Sequence, residues 1–298
     1  MPELIVTNMN SNFTGVSATA AAVLRQQIGQ YDLALMGHPL PGAPAPVSYR
    51  EAIRQSRIPA EGKPFTIWHV RRNPEMRVAI WARDVLRLPI KIVFTSAAIR
   101  RHSAYPRWLI SRMDAVIATT EEAATFVPHV RAVVPHGVET DRFTPAPDRA
   151  AAWVATGYPG TRGIATIGRI RPEKGTDRFV EAMLDLLPKH PKTTALVIGR
   201  ATREHAGFLN DLKAKIAKAH LQDRILFPGE IAPEDLPNLV RALSMVVQLP
   251  RYEGYGMTPL EGMASAVPFV ATDQGYYRSF SSQGQSGLIT DTPAADID

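Results

Sequence analysis

The sequence predicts an α/β fold built on two parallel sheets. Short apolar runs of four or five residues recur along the whole chain, and helical stretches with apolar residues at helical spacing stand between them. Such alternation gives parallel strands covered by helices on both faces. At 298 residues the chain is long enough for two domains of this kind. In such sheets ligands bind beyond the carboxyl ends of the strands, so the expected site is a cleft between the two domains.

In the first half, Leu4 to Thr7 reads as a buried strand, Asn8 to Gly15 as a loop and Val16 to Ile28 as a helix. Further strands are expected at Leu33 to Met36, Phe65 to Trp68, Ile90 to Phe94, Ala115 to Ala118 and Ala132 to Val134, with helices at Glu75 to Leu86 and Arg107 to Met113. Pro39 to Pro64 is rich in proline and polar residues and reads as a long loop with one helix near Tyr49 to Arg57. Prolines and small residues cluster again from Thr144 to Pro159, which places the domain boundary there, as 1–150 and 151–298.

The second half repeats the rhythm. The strand Gly163 to Ile167 precedes a helix from Gly175 to Leu187, with Phe179, Met183 and Leu187 on one face. Strand Ala195 to Ile198 precedes helix Arg203 to Ala219, striped by Phe208, Leu212 and Ile216. Strand Arg224 to Phe227, helix Pro233 to Leu243, strand Met245 to Leu249, helix Met257 to Ala264 and strand Pro268 to Ala271 follow.

Composition narrows the function. There are no cysteines, which excludes disulfides, a thiolate zinc site and a cysteine nucleophile. No run approaches the roughly 18 apolar residues that span a bilayer, and Met-Pro-Glu-Leu-Ile-Val lacks the features of a signal peptide. A cytoplasmic location is therefore expected, with peripheral contact to the inner membrane. From Arg71 to Arg112, ten basic residues face only Glu75 and Asp84, a local excess of +8 against +6 for the whole chain. A solvated basic face is the plain reading of that excess, and an anionic partner is the functional one. Aromatic residues for base stacking are sparse there, which favours a membrane or glycolipid over nucleic acid.

The chemistry concentrates at Arg251-Tyr-Glu-Gly-Tyr-Gly-Met-Thr-Pro-Leu-Glu-Gly-Met-Ala264. A strand leads in, a loop with two glycines follows, and Pro259 suits the first turn of a helix. Glu253 and Glu261 suit sugar hydroxyls, and the free N–H groups of a helix start suit phosphate oxygens. The helix dipole is expected to favour the charge of Glu261. Arg169 and Lys174 directly follow another strand, where two cations can neutralise a diphosphate. A nucleotide-sugar satisfies both halves. Gly15, before the first long helix, would let backbone N–H groups approach an anion. The only Asp-x-Asp is Asp296-Ile-Asp298, at a chain end, and the eight histidines show no ligand spacing. No metal is expected.

Glu253-Gly-Tyr-Gly-Met-Thr-Pro-Leu-Glu261-Gly-Met-Ala-Ser-Ala-Val-Pro-Phe-Val-Ala271 resembles the E-x7-E motif of the retaining glycosyltransferases of family 4, which share the GT-B fold. Ile167-Gly-Arg-Ile-Arg-Pro-Glu-Lys-Gly175 matches that family's other donor signature. The resemblance implies two Rossmann-like domains: an acceptor domain and a nucleotide-sugar donor domain. It gives Arg169 and Lys174 to the donor diphosphate, Glu253 to the transferred sugar and Glu261 to the ribose, with Gly254, Tyr255 and Gly256 in the donor loop. Glu253, Arg169 and Lys174 are then the catalytic candidates, and Gly15 joins the donor set.

Trp68-His-Val-Arg-Arg-Asn73, Val93-Phe-Thr-Ser-Ala-Ala-Ile-Arg-Arg-His102, Asp114-Ala-Val-Ile-Ala-Thr119 and Pro135-His-Gly-Val-Glu-Thr-Asp-Arg-Phe143 resemble the subgroup that builds the lipopolysaccharide core with mannose. The implied donor is GDP-mannose and the implied acceptor an anionic glycolipid, with His69, Arg71, Arg72, Arg100, Arg101 and His102 as acceptor-site candidates. Where some family members carry a histidine before Thr95-Ser96, this sequence has Phe94. Family chains also continue for several tens of residues beyond the last match, Gly287-Leu-Ile, so the closing helices of the donor domain are expected to be absent. Another nucleotide-hexose, or a catalytically silent protein that binds anions or membranes, stays open beside this reading.

Overall fold

The structure, a computed structural model, describes residues 1–291. The chain divides into two compact units, Met1–His136 and Gly137–Asp298. Asp296 and Asp298 lie outside the described residues.

The first unit begins with β1 (Leu4–Asn8), α1 (Gly15–Gln27), β2 (Leu33–Gly37), α2 (Tyr49–Gln55), β3 (Thr66–Val70) and α3 (Asn73–Asp84). It continues with β4 (Ile90–Ser96), α4 (Ala104–Ser111), β5 (Ala115–Ala118), α5 (Glu121–Thr125) and β6 (Val130–Val133). Its six strands are parallel in the order β2-β1-β3-β4-β5-β6. Trp68, Ile92 and Val116 are fully buried in one cluster with Met76 of α3 and Leu109 of α4, and the Trp68 indole N–H donates to Ser56. The short helix α5, which has too few residues for a periodic stripe, is set by Thr120, whose side chain accepts the Ala123 N–H.

The second unit holds α6 (Arg149–Ala155), β7 (Arg162–Ile167), α7 (Thr176–Leu186), β8 (Thr193–Ile198), α8 (Ala206–Lys218) and β9 (Ile225–Gly229). After these come α9 (Leu236–Ala242), β10 (Met245–Gln248), α10 (Met257–Ala264), β11 (Phe269–Ala271), α11 (Tyr277–Ser281) and β12 (Gly287–Ile289). All six strands are parallel, ordered β12-β11-β10-β7-β8-β9. Two Rossmann-like α/β units are thus present, as expected for the GT-B fold, and the Gly287-Leu-Ile match forms β12.

The boundary is corrected. It falls after His136 rather than at 150, and the stretch expected to be a linker contains α6. The small residues read as linker are alanines, which are strong helix formers, and Asp148 caps them by accepting the Ala151 N–H at 3.0 Å. Trp153 then anchors α6 to the second sheet: a Cβ at Gly163 would stand 2.0 Å from its ring.

Candidate functional site

In the second unit, β7 and β10 are neighbours, so the loops that leave their carboxyl ends meet although 79 residues separate them. Pro172–Lys174 forms one tight turn and ends at Gly175, whose φ of 68° is left-handed. A Cβ at Gly175 would lie 1.8 Å from the carbonyl oxygen of Leu249 at the end of β10, so only glycine lets the loops approach this closely. The Arg251 N–H donates to the Glu173 carbonyl at 2.9 Å, and the Arg251 guanidinium grips Asp177 at 2.8 and 2.6 Å.

This stapling brings Lys174 Nζ to 2.5 Å from Glu253 Oε2, while Glu253 Oε1 accepts the Gly254 N–H at 3.0 Å. The exposed Arg169 guanidinium makes no hydrogen bond or ion pair among the described residues, yet it feels the Glu253 charge. Desolvation and the neighbouring Arg171 lower its pKa, and Glu253 opposes them. All three expected catalytic residues therefore belong to one electrostatic group.

A third loop, after β11, supports the glutamate from below. A Cβ at Gly275 would stand 2.6 Å from the Tyr255 carbonyl oxygen and 3.1 Å from Glu253 Cγ, and the Tyr276 N–H donates to that carbonyl at 2.9 Å. Tyr255, expected in the donor loop, turns its ring into the core. It is 4% exposed and stacks on Tyr276 at 5.3 Å, with Phe280 edge-on at 5.6 Å. Its side chain anchors the loop. Gly256, at φ 90°, sits directly on the buried Tyr277 ring, which leaves no space for a Cβ.

Glu261 occupies the second turn of α10, one turn further in than the sequence suggests. Burial raises its carboxyl pKa to about 7, opposed by Arg142, so desolvation outweighs any benefit from the helix start. Tyr277 was not anticipated. Its phenol is pushed far up by burial and then by the charges of both Glu253 and Glu261, which shows that it stands near both carboxylates. No motif spacing signals it; the Gly275-Tyr-Tyr277 run after a strand is the only hint.

Glu261→Gln should reveal the buried carboxyl. The folded value lies above the usual 4.5, so the native state binds the extra proton between about 4.5 and 7 and loses stability as pH rises through that window. The penalty is fully present above about 7 and amounts to about 3 kcal/mol at ~1.36 kcal/mol per unit. In ligand-free melts the variant should match the parent near pH 4.5 and exceed it at pH 8. Parallel curves across that range would exclude a raised carboxyl at this position.

The first-unit candidates separate. His69, at the end of β3, is buried, with Nε2 2.7 Å from the Thr95 hydroxyl and Nδ1 3.4 Å from Arg71 Nη2. A guanidinium only donates, so Nδ1 accepts and the proton sits on Nε2. Burial and Arg71 hold His69 neutral. Burial also lowers the Arg71 guanidinium to about 10, and burial with the Arg71 charge lowers His136 to about 4. Arg72, expected to meet the acceptor, is instead consumed inside the fold: it donates to Asn8, Glu75, Thr14 and Ser17.

Arg100 and Arg101 are exposed on the segment between β4 and α4, and the neighbouring His102 has a buried Nε2 with no partner. Gly15 opens α1 with nothing within 4 Å of a would-be Cβ. Part of the basic excess is neutralised locally, since Arg83 and Arg112 pair with Asp84, and Arg83 and Lys91 with Asp114. Among the described residues no three His, Cys, Asp or Glu side chains gather as a metal-binding group. No helix among them is long and apolar enough to cross a membrane. A cavity of about 720 Å³ in the second unit, lined in part by Tyr158, Ile231, Leu239 and Arg241, holds none of the donor-motif side chains.

Known proteins now place this arrangement. The chain is 43% identical to the lipopolysaccharide core biosynthesis mannosyltransferase LpsB of Rhizobium meliloti over 96% of its length and 82% of that protein. The LpcC mannosyltransferase of Rhizobium leguminosarum bv. viciae is 42% identical over 96% of this chain and 81% of its own. Residues 157–297 match the model of the glycosyl transferases group 1 family. The chain belongs to the group 1 glycosyltransferases. As a member of that family it is an enzyme of glycosyl transfer, and its fold is also that of Anabaena Alr3699/HepE, solved with UDP and glucose. The TM-score is 0.81 at 15% identity, over 99% of this chain and 87% of that one.

Proposed function

We propose that this glycosyltransferase is a retaining, metal-independent hexosyltransferase. It moves mannose from GDP-mannose to the anionic inner core of lipopolysaccharide, at the cytoplasmic face of the inner membrane. The observation that carries this reading is the Lys174–Glu253 contact, which joins the loops of both donor signatures beside Arg169. The two lipopolysaccharide core mannosyltransferases similar over most of the chain support the sugar and the acceptor.

In the proposed reaction the donor diphosphate takes over Lys174 from Glu253 and is neutralised by Lys174 and Arg169 as its bond to the sugar breaks. Glu253, released from the lysine, positions the sugar, and Glu261 accepts from the ribose hydroxyls. The acceptor hydroxyl attacks from the face the diphosphate leaves, and the departing phosphate oxygen receives its proton. Basic residues of the first unit hold the acceptor.

A panel of nucleotides and nucleotide-sugars, read as melting shifts and followed by transfer to a Kdo-bearing acceptor, tests the reading. GDP and GDP-mannose should stabilise the protein, and mannose should be transferred. Stabilisation by UDP-hexoses alone would overturn the donor. Stabilisation by random DNA and by no nucleotide would overturn the enzyme.

A further inference from the structure

Three successive residues after β11 seat three residues of the loop that carries Glu253. Gly275, at a φ of 58°, lies so close to the Tyr255 carbonyl and Glu253 Cγ that no side chain fits there. Tyr276 donates its N–H to the same carbonyl and lays its ring on the Tyr255 ring, 11° from parallel. Tyr277 presses its ring edge on Gly256. A Cβ at Gly256 would stand 2.1 Å from Tyr277 Cε1, 2.5 Å from Cζ and 2.7 Å from the phenolic oxygen.

The contact with Gly256 is the one that sets direction. Gly256 has φ 90° and ψ 89° and is the last residue before α10, so it joins the arm that carries Glu253 to the helix that carries Glu261. A joint without a side chain has wide conformational freedom, and a rigid ring wedged on it removes that freedom. The wedge is itself fixed. Tyr277 is 1% exposed and belongs to the core cluster that holds Phe269 and Ala271 of β11. Phe280, in the same short helix, stands edge-on to Tyr255 and Tyr276 at 5.6 and 5.4 Å, a geometry favoured by buried aromatic rings. The charges of both Glu253 and Glu261 act on the Tyr277 phenol, in keeping with a place beside the joint between them.

We propose that Tyr277 is a positioning residue for sugar transfer, whose ring holds the Gly256 joint and so sets where Glu253 stands. This rests on the reading of Glu253 as the group that positions the donor sugar. The role belongs to the ring edge, because the closest approach to Gly256 is that of Cε1, and the hydroxyl is not required. Arg169 and Lys174 are carried by a different loop, after β7, so nucleotide binding is separable from this positioning.

The test compares Tyr277→Phe, Tyr277→Met and the packing control Leu212→Ala, in α8, with the parent. Tyr277→Phe keeps the rigid ring, whereas Tyr277→Met fills the space with a flexible chain. The kcat for transfer should stay within about threefold of the parent in Tyr277→Phe and fall about 10- to 100-fold in Tyr277→Met, the scale of a misplacement of about 1 Å. Acceptor KM and the melting shift given by GDP should stay near parental values in both. Leu212→Ala should lower the melting temperature and leave kcat alone. A loss in Tyr277→Phe equal to that in Tyr277→Met, or a loss in Tyr277→Met no larger than in Leu212→Ala, would overturn the role.

A second readout needs no transfer: amide hydrogen exchange from Gly254 to Met257. It should be faster than in the parent in Tyr277→Met and unchanged in Tyr277→Phe. Where Tyr277→Met fails to fold, Tyr276→Leu, which removes the ring stacked on Tyr255, takes its place in both measurements. Faster exchange without the kcat loss, or the loss without faster exchange, would break the link between joint and reaction. If the parent transfers no sugar yet the exchange difference appears, the transferase reading fails and the seating of the loop by Tyr277 stands. If sugar is transferred and Tyr277→Met matches the parent in both measurements, the positioning role fails alone.

Discussion

Lys174→Ala is expected to cut sugar transfer by about 10²- to 10³-fold, the usual cost of removing one preorganised group from a developing charge. Stability should hardly move. The Lys174–Glu253 pair is partly exposed, and such pairs contribute about 1 kcal/mol or less. The two readouts therefore separate a catalytic role from a structural one. Glu253→Ala should collapse transfer as well, for a different reason: it removes the group proposed to hold the sugar. In the free protein the two side chains neutralise each other at 2.5 Å, so each single variant leaves its partner unpaired as well as lost to the donor. The double variant decides how they act. If both work on the bound donor as a unit, it should be scarcely worse than the poorer single variant. Steady-state transfer with the full chain gives the rates, and thermal melts give the stabilities. Undiminished transfer in both single variants would remove these residues from the site.

The candidate donor site was legible because each of its loops is one continuous stretch. Gly168-Arg-Ile-Arg-Pro-Glu-Lys-Gly175 and Glu253-Gly-Tyr-Gly256 each follow a strand, and parallel pairing of β7 with β10 is enough to bring them together. The glycines could be read as turn residues, but the particular carbonyl or ring that forbids a Cβ at Gly175 or Gly256 could not. Glu261 shows where local reasoning stops. Its place near a helix start argues for a stabilised charge, and only the packed structure reveals that desolvation wins. Alanines at the start of the second unit could be read as linker or as helix, and the burial of Trp153 decides between them.

Arg71 and Arg72 show the same limit most sharply. They are adjacent and identical, and nothing in the sequence assigns them different tasks. At the end of β3 one side chain lies against His69, and the other turns back toward the loop between β1 and α1. Arg71 is left with an unused donor, and Arg72 is tied to four neighbours. The basic excess of this region is thus three things at once: ion pairs with Asp84 and Asp114, a packed strut, and exposed cations such as Arg101.

Arg72→Ala should therefore be among the most destabilising changes in the chain, at about 3–5 kcal/mol, the cost of breaking a buried pair by removing one partner. Glu75 is 0% exposed. It accepts from the Thr7 hydroxyl, the backbone N–H groups of Met9 and Arg71, and Arg72 Nη1 at 3.0 Å, so among the described residues Arg72 is the only cationic side chain hydrogen-bonded to it. Without Arg72 a carboxylate stays buried with no cation hydrogen-bonded to it and only the Arg71 charge nearby, while Asn8, Thr14 and Ser17 lose the strut that ties the loop to α3. Against a total stability of about 5–15 kcal/mol for a typical domain, this approaches loss of the fold. Arg72→Lys should recover only part, because an ammonium cannot span four acceptors as a planar fork does. Arg72→Met combined with Glu75→Gln should recover more, since it removes both charges together, and urea midpoints of the four proteins give the ranking. An Arg72→Ala unfolding free energy within about 1 kcal/mol of the parent would show that the pair is not what holds β1, β3 and α3 together. The expected collapse would mean that the positively charged end of β3 is built on a structural arginine, which fixes the backbone that carries Arg71.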